Sequence, residues 1–208
     1  MLQFVAIREG TLNAIINASS LIVLARLDAL WLLRRVYNEV GLPTSVFVEA
    51  VLRGKAKGYM DTNRIEEAIA DGCLVQFDPT PVEKTLAEQI SRQMIALSPT
   101  DCDALACAEI RDSLLIVEDR RVRNAAKARG INYTVIQVIP LQGLIQRKLE
   151  YEECDRLLAD IGRAMHTDAA FLHVLRMAAR EIEVGRRIEA RGREEHGSDH
   201  ADQHQGTK

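Results

Sequence analysis

The sequence predicts an α/β domain with a parallel sheet and helices on both of its faces. Three observations predict it. Short apolar runs of strand length alternate with longer segments of helical period. One run, Leu114 to Val117 (LLIV), is apolar without alternation, as expected of a strand buried on both faces. Capping and breaking residues fall where the period changes, as in Ser98-Pro99-Thr100-Asp101 before a helix and Gly130 after one.

In chain order, residues 12–17 (LNAIIN) read as the first strand, and Leu21 to Leu33 as one helix. Glu39 to Leu42 is a second apolar piece ending at Pro43. Thr44 then reads as an N-cap before a helix from Ser45 to Leu52, which Gly54 and Gly58 break. A helix from Arg64 to Ala70 closes at Asp71-Gly72, and Leu74 to Phe77 is a strand stopping at Asp78-Pro79. Val82 to Ile95 is a helix with a polar face. The helix that Ser98 and Pro99 open continues to about Arg111. After the LLIV strand come a helix from Arg120 to Gly130 and a last strand from Tyr133 to Val138. From Pro140 the pattern turns wholly helical, at about 141–149, 151–164 and 168–190. After Arg193 no large apolar side chain is available for burial, so that tail is expected to be disordered. The division is an α/β domain over 1–140, a helical extension over 141–193 that packs on the domain or on a partner, and a tail over 194–208.

Composition narrows the function. Hydrophobic residues make up 47 % of the 208, enough for a core, but aromatics only 4 %, which argues against a base-stacking platform. The net charge of −3 provides no global attraction for nucleic acid, so any contact with it must be local. None of the four cysteines forms a C-x-x-C pair, and they read as small buried residues of a reducing compartment. The first ten residues have no signal-like apolar stretch, and the longest apolar region is broken by Asn17, Arg26 and Asp28. A cytoplasmic protein without a membrane segment is expected. His196, His200 and His204 in the tail read as solvated.

Four polar stations fall where strands end or on helices facing them: Asn17; Glu49; Asp101 with Asp103; and Glu118 with Asp119. Carboxylates gathered at one sheet edge repel each other unless a divalent cation lies between them, which points to metal-assisted phosphodiester chemistry. Asn17 ends the first strand, where open α/β sheets bind ligands. Glu49 is the lone acid in SVFVEAVL, so a cation or an Arg partner is expected. Asp103 precedes Ala104, Leu105 and Ala108 and is expected near the sheet, with Asp101 towards the rim. Of Glu118 and Asp119, one can face the site while the other caps the next helix. Arg120, Arg121, Arg123 and Lys127 then follow on one helix beside the acids, suited to a polyanion.

Taken in order, INASSLIVLARL, PTSVFVEAVL, TDCDALACA and LLIVEDRRVRNAAKARGI resemble the PIN-domain ribonucleases, and are most similar to a toxin-like bacterial and archaeal branch. The likeness runs from about residue 12 to 183. It implies a Rossmann-like PIN fold with a parallel sheet flanked by helices, and cleavage of RNA with Mg²⁺ or Mn²⁺. It also implies the toxin half of a type II toxin–antitoxin pair that self-associates and is silenced by a small protein antitoxin. By position, the metal-site residues would be Asn17, Glu49, Asp103 and Asp119, with Glu118 and Asp101 in support, and the catalytic carboxylates Glu49, Asp103 and Asp119. Two departures stand out: Asn17 occupies a position where the wider family has Asp, and Ser20 replaces the usual Pro of N-A-S-P. A catalytically silent PIN-like module binding RNA or a protein is the first rival. A receiver-type signalling domain is the second, opposed by the absence of a Lys after the last strand.

Overall fold

The computed structural model describes residues 12–198, and their side chains as far as residue 189. Five strands, β1 (Ala14–Ile16), β2 (Val40–Pro43), β3 (Leu74–Phe77), β4 (Leu114–Ile116) and β5 (Tyr133–Thr134), form one sheet in the order β3-β2-β1-β4-β5, every pair parallel. The strand period of two divides the core. Ala14, Ile16 and Ile116 point into one apolar cluster, while Ile15, Leu115 and Val117 point into another on the opposite face. The first face is covered by α1 (Ala18–Arg26), α2 (Trp31–Tyr37), α3 (Thr44–Phe47) and α5 (Asp61–Ala70). The second is covered by α6 (Pro81–Gln93), α7 (Pro99–Arg111) and α8 (Arg120–Ala128). All four cysteines are free and buried. Among the described residues no helix is long and apolar enough to cross a membrane.

Several elements differ from the sequence expectation, each for a local reason. The single helix expected over Leu21 to Leu33 is two, because Asp28 takes a left-handed conformation (φ 55°) that Asp tolerates better than most residues. Thr44 does not cap its helix. Pro43 holds the cap position, and the Thr44 hydroxyl bonds the Phe77 carbonyl and Asp78 Oδ1 (3.1 and 2.6 Å), joining the ends of β2 and β3. The following segment contains a π-helical turn, Val48–Leu52, and continues through α4 (Arg53–Ala56), so Gly54 does not break it. A Cβ at Gly54 would stand 2.6 Å from Thr62 Cγ2 of α5, and close packing of two helices accounts for the glycine. Gly54→Leu is therefore expected to cost about 1–3 kcal/mol by overpacking, read as a lower urea midpoint at unchanged slope. The last strand stops at Thr134 and not at Val138. Residues Ile136–Val138 form a 3₁₀ turn whose first N–H goes to Glu118 Oε1 (2.6 Å) instead of a neighbouring strand.

After the sheet come α9 (Ile139–Ile145), α10 (Tyr151–Ala164) and α11 (Ala169–Ser198). The first two lie against the domain. Leu149, Leu157 and Ile161 enter the main core, Arg35 Nη1 of α2 donates to both Glu153 carboxylate oxygens (2.8 Å each), and the Tyr37 hydroxyl bonds Gln142. Burial pushes the Tyr37 phenol up, so it remains a neutral donor. A satellite cluster of Leu141, Leu144, Cys154, Leu158, Leu175 and Ala179 fixes α11. Arg186 latches it by donating to the carbonyls of Leu144, in the last turn of α9, and of Leu149. The helix continues to Ser198, so residues 194–198 are helical where the sequence predicts disorder. Helix-forming residues and i,i+4 pairs such as Glu183–Arg187 carry it past the last buried side chain. Residues 199–208 of the expected tail, with His200 and His204, lie outside the described residues, as do the His196 side chain and the first ten residues.

Candidate active site at the sheet switch point

The strand order reverses at β1. Its two neighbours run off in opposite directions, and this leaves a crevice beyond the carboxyl ends of β1 and β4, where open α/β sheets hold ligands. Asn17 is the first residue after β1, and its N–H donates to Ile116 O of β4 (3.1 Å). Glu118 and Asp119 follow β4. Helix α7 runs back antiparallel to β4, which brings its first turn, with Asp101, to the same edge. The segment carrying Glu49 follows β2 there as well.

Asn17 is buried and every polar atom of its side chain is engaged. Oδ1 accepts from the Ser20 N–H (3.1 Å) and from Ser19 Oγ (3.2 Å), capping α1. That backbone donor fixes the orientation of the amide, so Nδ2 is the atom that faces Asp101 Oδ1, at 3.4 Å. Asp101 Oδ2 accepts from Ser98 Oγ (2.7 Å), and the Asp101 N–H returns a bond to the same hydroxyl (3.1 Å). The residue in contact with Asn17 is thus Asp101, expected at the rim. Asp103, two positions on and on another side of α7, lines a cavity of about 400 Å³ with Thr44, Arg53, Asp78 and Lys84.

Asp119 is the N-cap of α8, its Oδ1 accepting from the N–H groups of Arg121 and Val122 (2.6 and 3.3 Å). Glu118 turns inward to the Ile136 N–H. Burial pushes its carboxyl above the usual range, opposed by that N–H, by Gln137 and by the charge of Arg123. Glu49 stands in the π turn, a feature frequent at functional sites. Its partner is Arg53, four residues on at 4.0 Å, with the carboxylate 36 % and the guanidinium 68 % exposed. A pair so solvated is worth little, about 0–1 kcal/mol, and leaves Glu49 available to a ligand. On α8, Arg120, Arg121 and Lys127 are exposed and Arg123 half-buried, none of the four in an ion pair among the described residues. Arg129, by contrast, is committed to Glu109 (2.6 and 3.0 Å).

Among the described residues no three His, Cys, Asp or Glu side chains are gathered closely enough to hold a metal ion by themselves. The donor chemistry nevertheless suits a small hard cation. Mg²⁺ is held by oxygen, through one or two carboxylates plus waters and substrate phosphate. Asp101 and Asp119 retain lone pairs beyond the bonds described. Asn17 does not offer one, because its oxygen is spent on α1 and its amide nitrogen faces the acid. Sequence inspection did not single out Asp78 or Lys84 of the neighbouring cavity. Asp78 reads as the turn residue that stops β3 and Lys84 as part of a polar helix face, and only the meeting of the ends of β2 and β3 with the first turns of α6 and α7 makes them neighbours of Asp103.

Residues 13–164, well over half of the chain, match the family model described as a PIN domain. No curated protein matches the chain.

Proposed function

The chain belongs to the PIN-domain family, a nuclease-type fold, and from that premise we propose that it is a Mg²⁺- or Mn²⁺-dependent endoribonuclease. The observation that carries the proposal is the Asn17–Asp101 contact at the switch point, beside the Glu118–Asp119 end of β4. Asp101 and Asp119 would hold the cation, with Glu49 free to join from the π turn. When bound, such a cation supplies a nucleophilic water and charge neutralisation at the scissile phosphate. The chain's own residues position the strand. Arg120, Arg121, Arg123 and Lys127 meet the phosphates on one side of the acids. Asn17 holds Asp101 by its side-chain amide Nδ2, and Asp119 is fixed by capping α8.

We further infer, from the likeness of its segments to the toxin-like branch, that the chain acts in the cytoplasm as the toxin of a type II pair, self-associates and is silenced by a small protein antitoxin. A second reading has one observation in its favour. The buried amide of Asn17, in place of a carboxylate, suits a PIN-like module that binds RNA or protein without cleaving.

One substitution separates the two. Asn17→Asp preserves the α1 cap, since Asp caps as well as Asn, but sets a carboxylate against Asp101. Without metal, the protein is expected to melt at a lower temperature than wild type. With Mn²⁺, it is expected to gain more in melting temperature than wild type and to cleave a mixed RNA pool at least as fast. A binding-only module would show no cleavage by either protein and no Mn²⁺-dependent stabilisation.

A further inference from the structure

One cavity at the carboxyl edge is not used by this chemistry. It opens at the ends of β2 and β3, where Thr44 and Asp78 are joined, and extends to the first turns of α6 and α7. Because β2 pairs with β1, the cavity begins one strand spacing, about 4.8 Å, to the side of Asn17. Its volume of about 400 Å³ falls in the range of small-ligand sites. Three of its groups have unused bonding capacity. Lys84 and Asp103 have no side-chain hydrogen bond or ion pair among the described residues, and Ser45 Oγ is buried without a partner. Arg53 contributes a second cation, held only by its loose contact with Glu49. The Asp78 carboxylate is already engaged by the Thr44 hydroxyl.

We propose that this cavity is a ribonucleotide subsite for the residue next to the scissile phosphate, in which Lys84 and Arg53 take the phosphodiester and Asp103 accepts a hydrogen bond from the ribose 2′-hydroxyl. The mixture of charges selects such a ligand. A bare phosphate would meet Asp103 as a repulsive neighbour, whereas a nucleotide presents an anion to the cations and a hydroxyl donor to the acid. The 2′-hydroxyl is the group by which a protein separates RNA from DNA, so Asp103 would set that preference. The subsite rests on the nuclease reading for the identity of its ligand, but binding can be measured apart from cleavage.

The test is fluorescence anisotropy in EDTA with a labelled single-stranded RNA of mixed sequence and the DNA of the same sequence. Wild type is expected to bind RNA about tenfold more tightly than DNA, the size of one hydrogen bond to a charged group. Asp103→Ala should bring the two affinities together, because it removes the acceptor that only RNA uses while relieving the charge repulsion equally for both. Lys84→Gln should lower both affinities and reduce the slope of log affinity against log salt by about 0.7, one single-strand phosphate contact. Arg53→Gln should act in the same way. Neither Lys84 nor Asp103 has a partner to lose, so circular dichroism and melting should be unaltered. An RNA-to-DNA ratio indifferent to Asp103→Ala, a salt slope indifferent to Lys84→Gln, or the absence of RNA binding overturns the subsite. RNA bound with the expected ratio but never cut in Mn²⁺ overturns the nuclease reading and leaves the subsite standing. RNA cut normally with a ratio indifferent to Asp103 does the reverse.

Discussion

Asp101→Asn and Asp119→Asn are each expected to reduce metal-dependent RNA cleavage by about a thousandfold while altering stability by less than about 1 kcal/mol. The cation's stabilisation of phosphoryl charge amounts to several kcal/mol, and each factor of ten in rate is 1.36 kcal/mol. Losing one of the two carboxylates proposed to hold it removes most of that. The fold is expected to be insensitive for reasons visible at each position. An Asn at 119 still caps α8 and satisfies the N–H groups of Arg121 and Val122. An Asn at 101 still accepts from the Asn17 amide through Oδ1, while its Nδ2 donates to the Ser98 hydroxyl, whose own proton turns to solvent. The measurement is cleavage of a mixed RNA pool with Mg²⁺ or Mn²⁺, beside thermal melting in EDTA. If wild type, both variants and Asn17→Asp are all inert, the silent binding module replaces the nuclease.

Arg111→Ala is expected to be the most damaging single change far from the site, at about 3–5 kcal/mol, the cost of leaving a buried charge without its partner. Glu83 is 1 % exposed and accepts from Arg111 Nε and Nη2 (2.6 and 3.1 Å), while the guanidinium lies 3.9 Å from the Phe77 ring centroid. One side chain thereby ties the end of α7 to α6 and β3. Burial alone would raise the Glu83 carboxyl, but Arg111 and the Thr80 N–H and hydroxyl outweigh it and hold it below its ordinary value. The sign follows from linkage. The folded value lies below the unfolded one, so this stabilisation is complete above the unfolded value near pH 4.3. It is lost as pH falls through the lower folded value. Wild type should therefore lose stability steeply in acid. Glu83→Gln should flatten that decline, and Arg111→Ala should be destabilised already at pH 7. Urea denaturation from pH 2.5 to 7 reads all three. A wild-type acid slope unchanged by Glu83→Gln would show that the pair is not the acid-sensitive link.

The sequence by itself determined the alternation of strands and helices and the parallel sheet, because period and capping are local properties. Leu74 to Phe77 and Pro99 to Arg111 could be marked almost residue by residue for that reason: a run of four apolar-rich residues stopped by Asp78-Pro79, and a Ser-Pro start. It also placed polar residues at strand ends, which gave the stations and the family likeness. Tertiary structure alone decided what those residues touch. Asp101 and Asp103 differ by two positions on one helix, and no periodicity says which of them turns to β1. The neighbouring strand and the first turn of α1 orient Asn17, and Asn17 in turn meets Asp101. Asp28 splits a helix, and Glu118 draws Ile136 out of the sheet, through conformations that apolar pattern does not encode. Lys84, Arg53 and Asp103 come from three segments far apart in the chain. Their shared cavity exists only because β2 and β3 end, and α6 and α7 begin, at the same edge, and long-range packing, not local propensity, sets where elements meet in space.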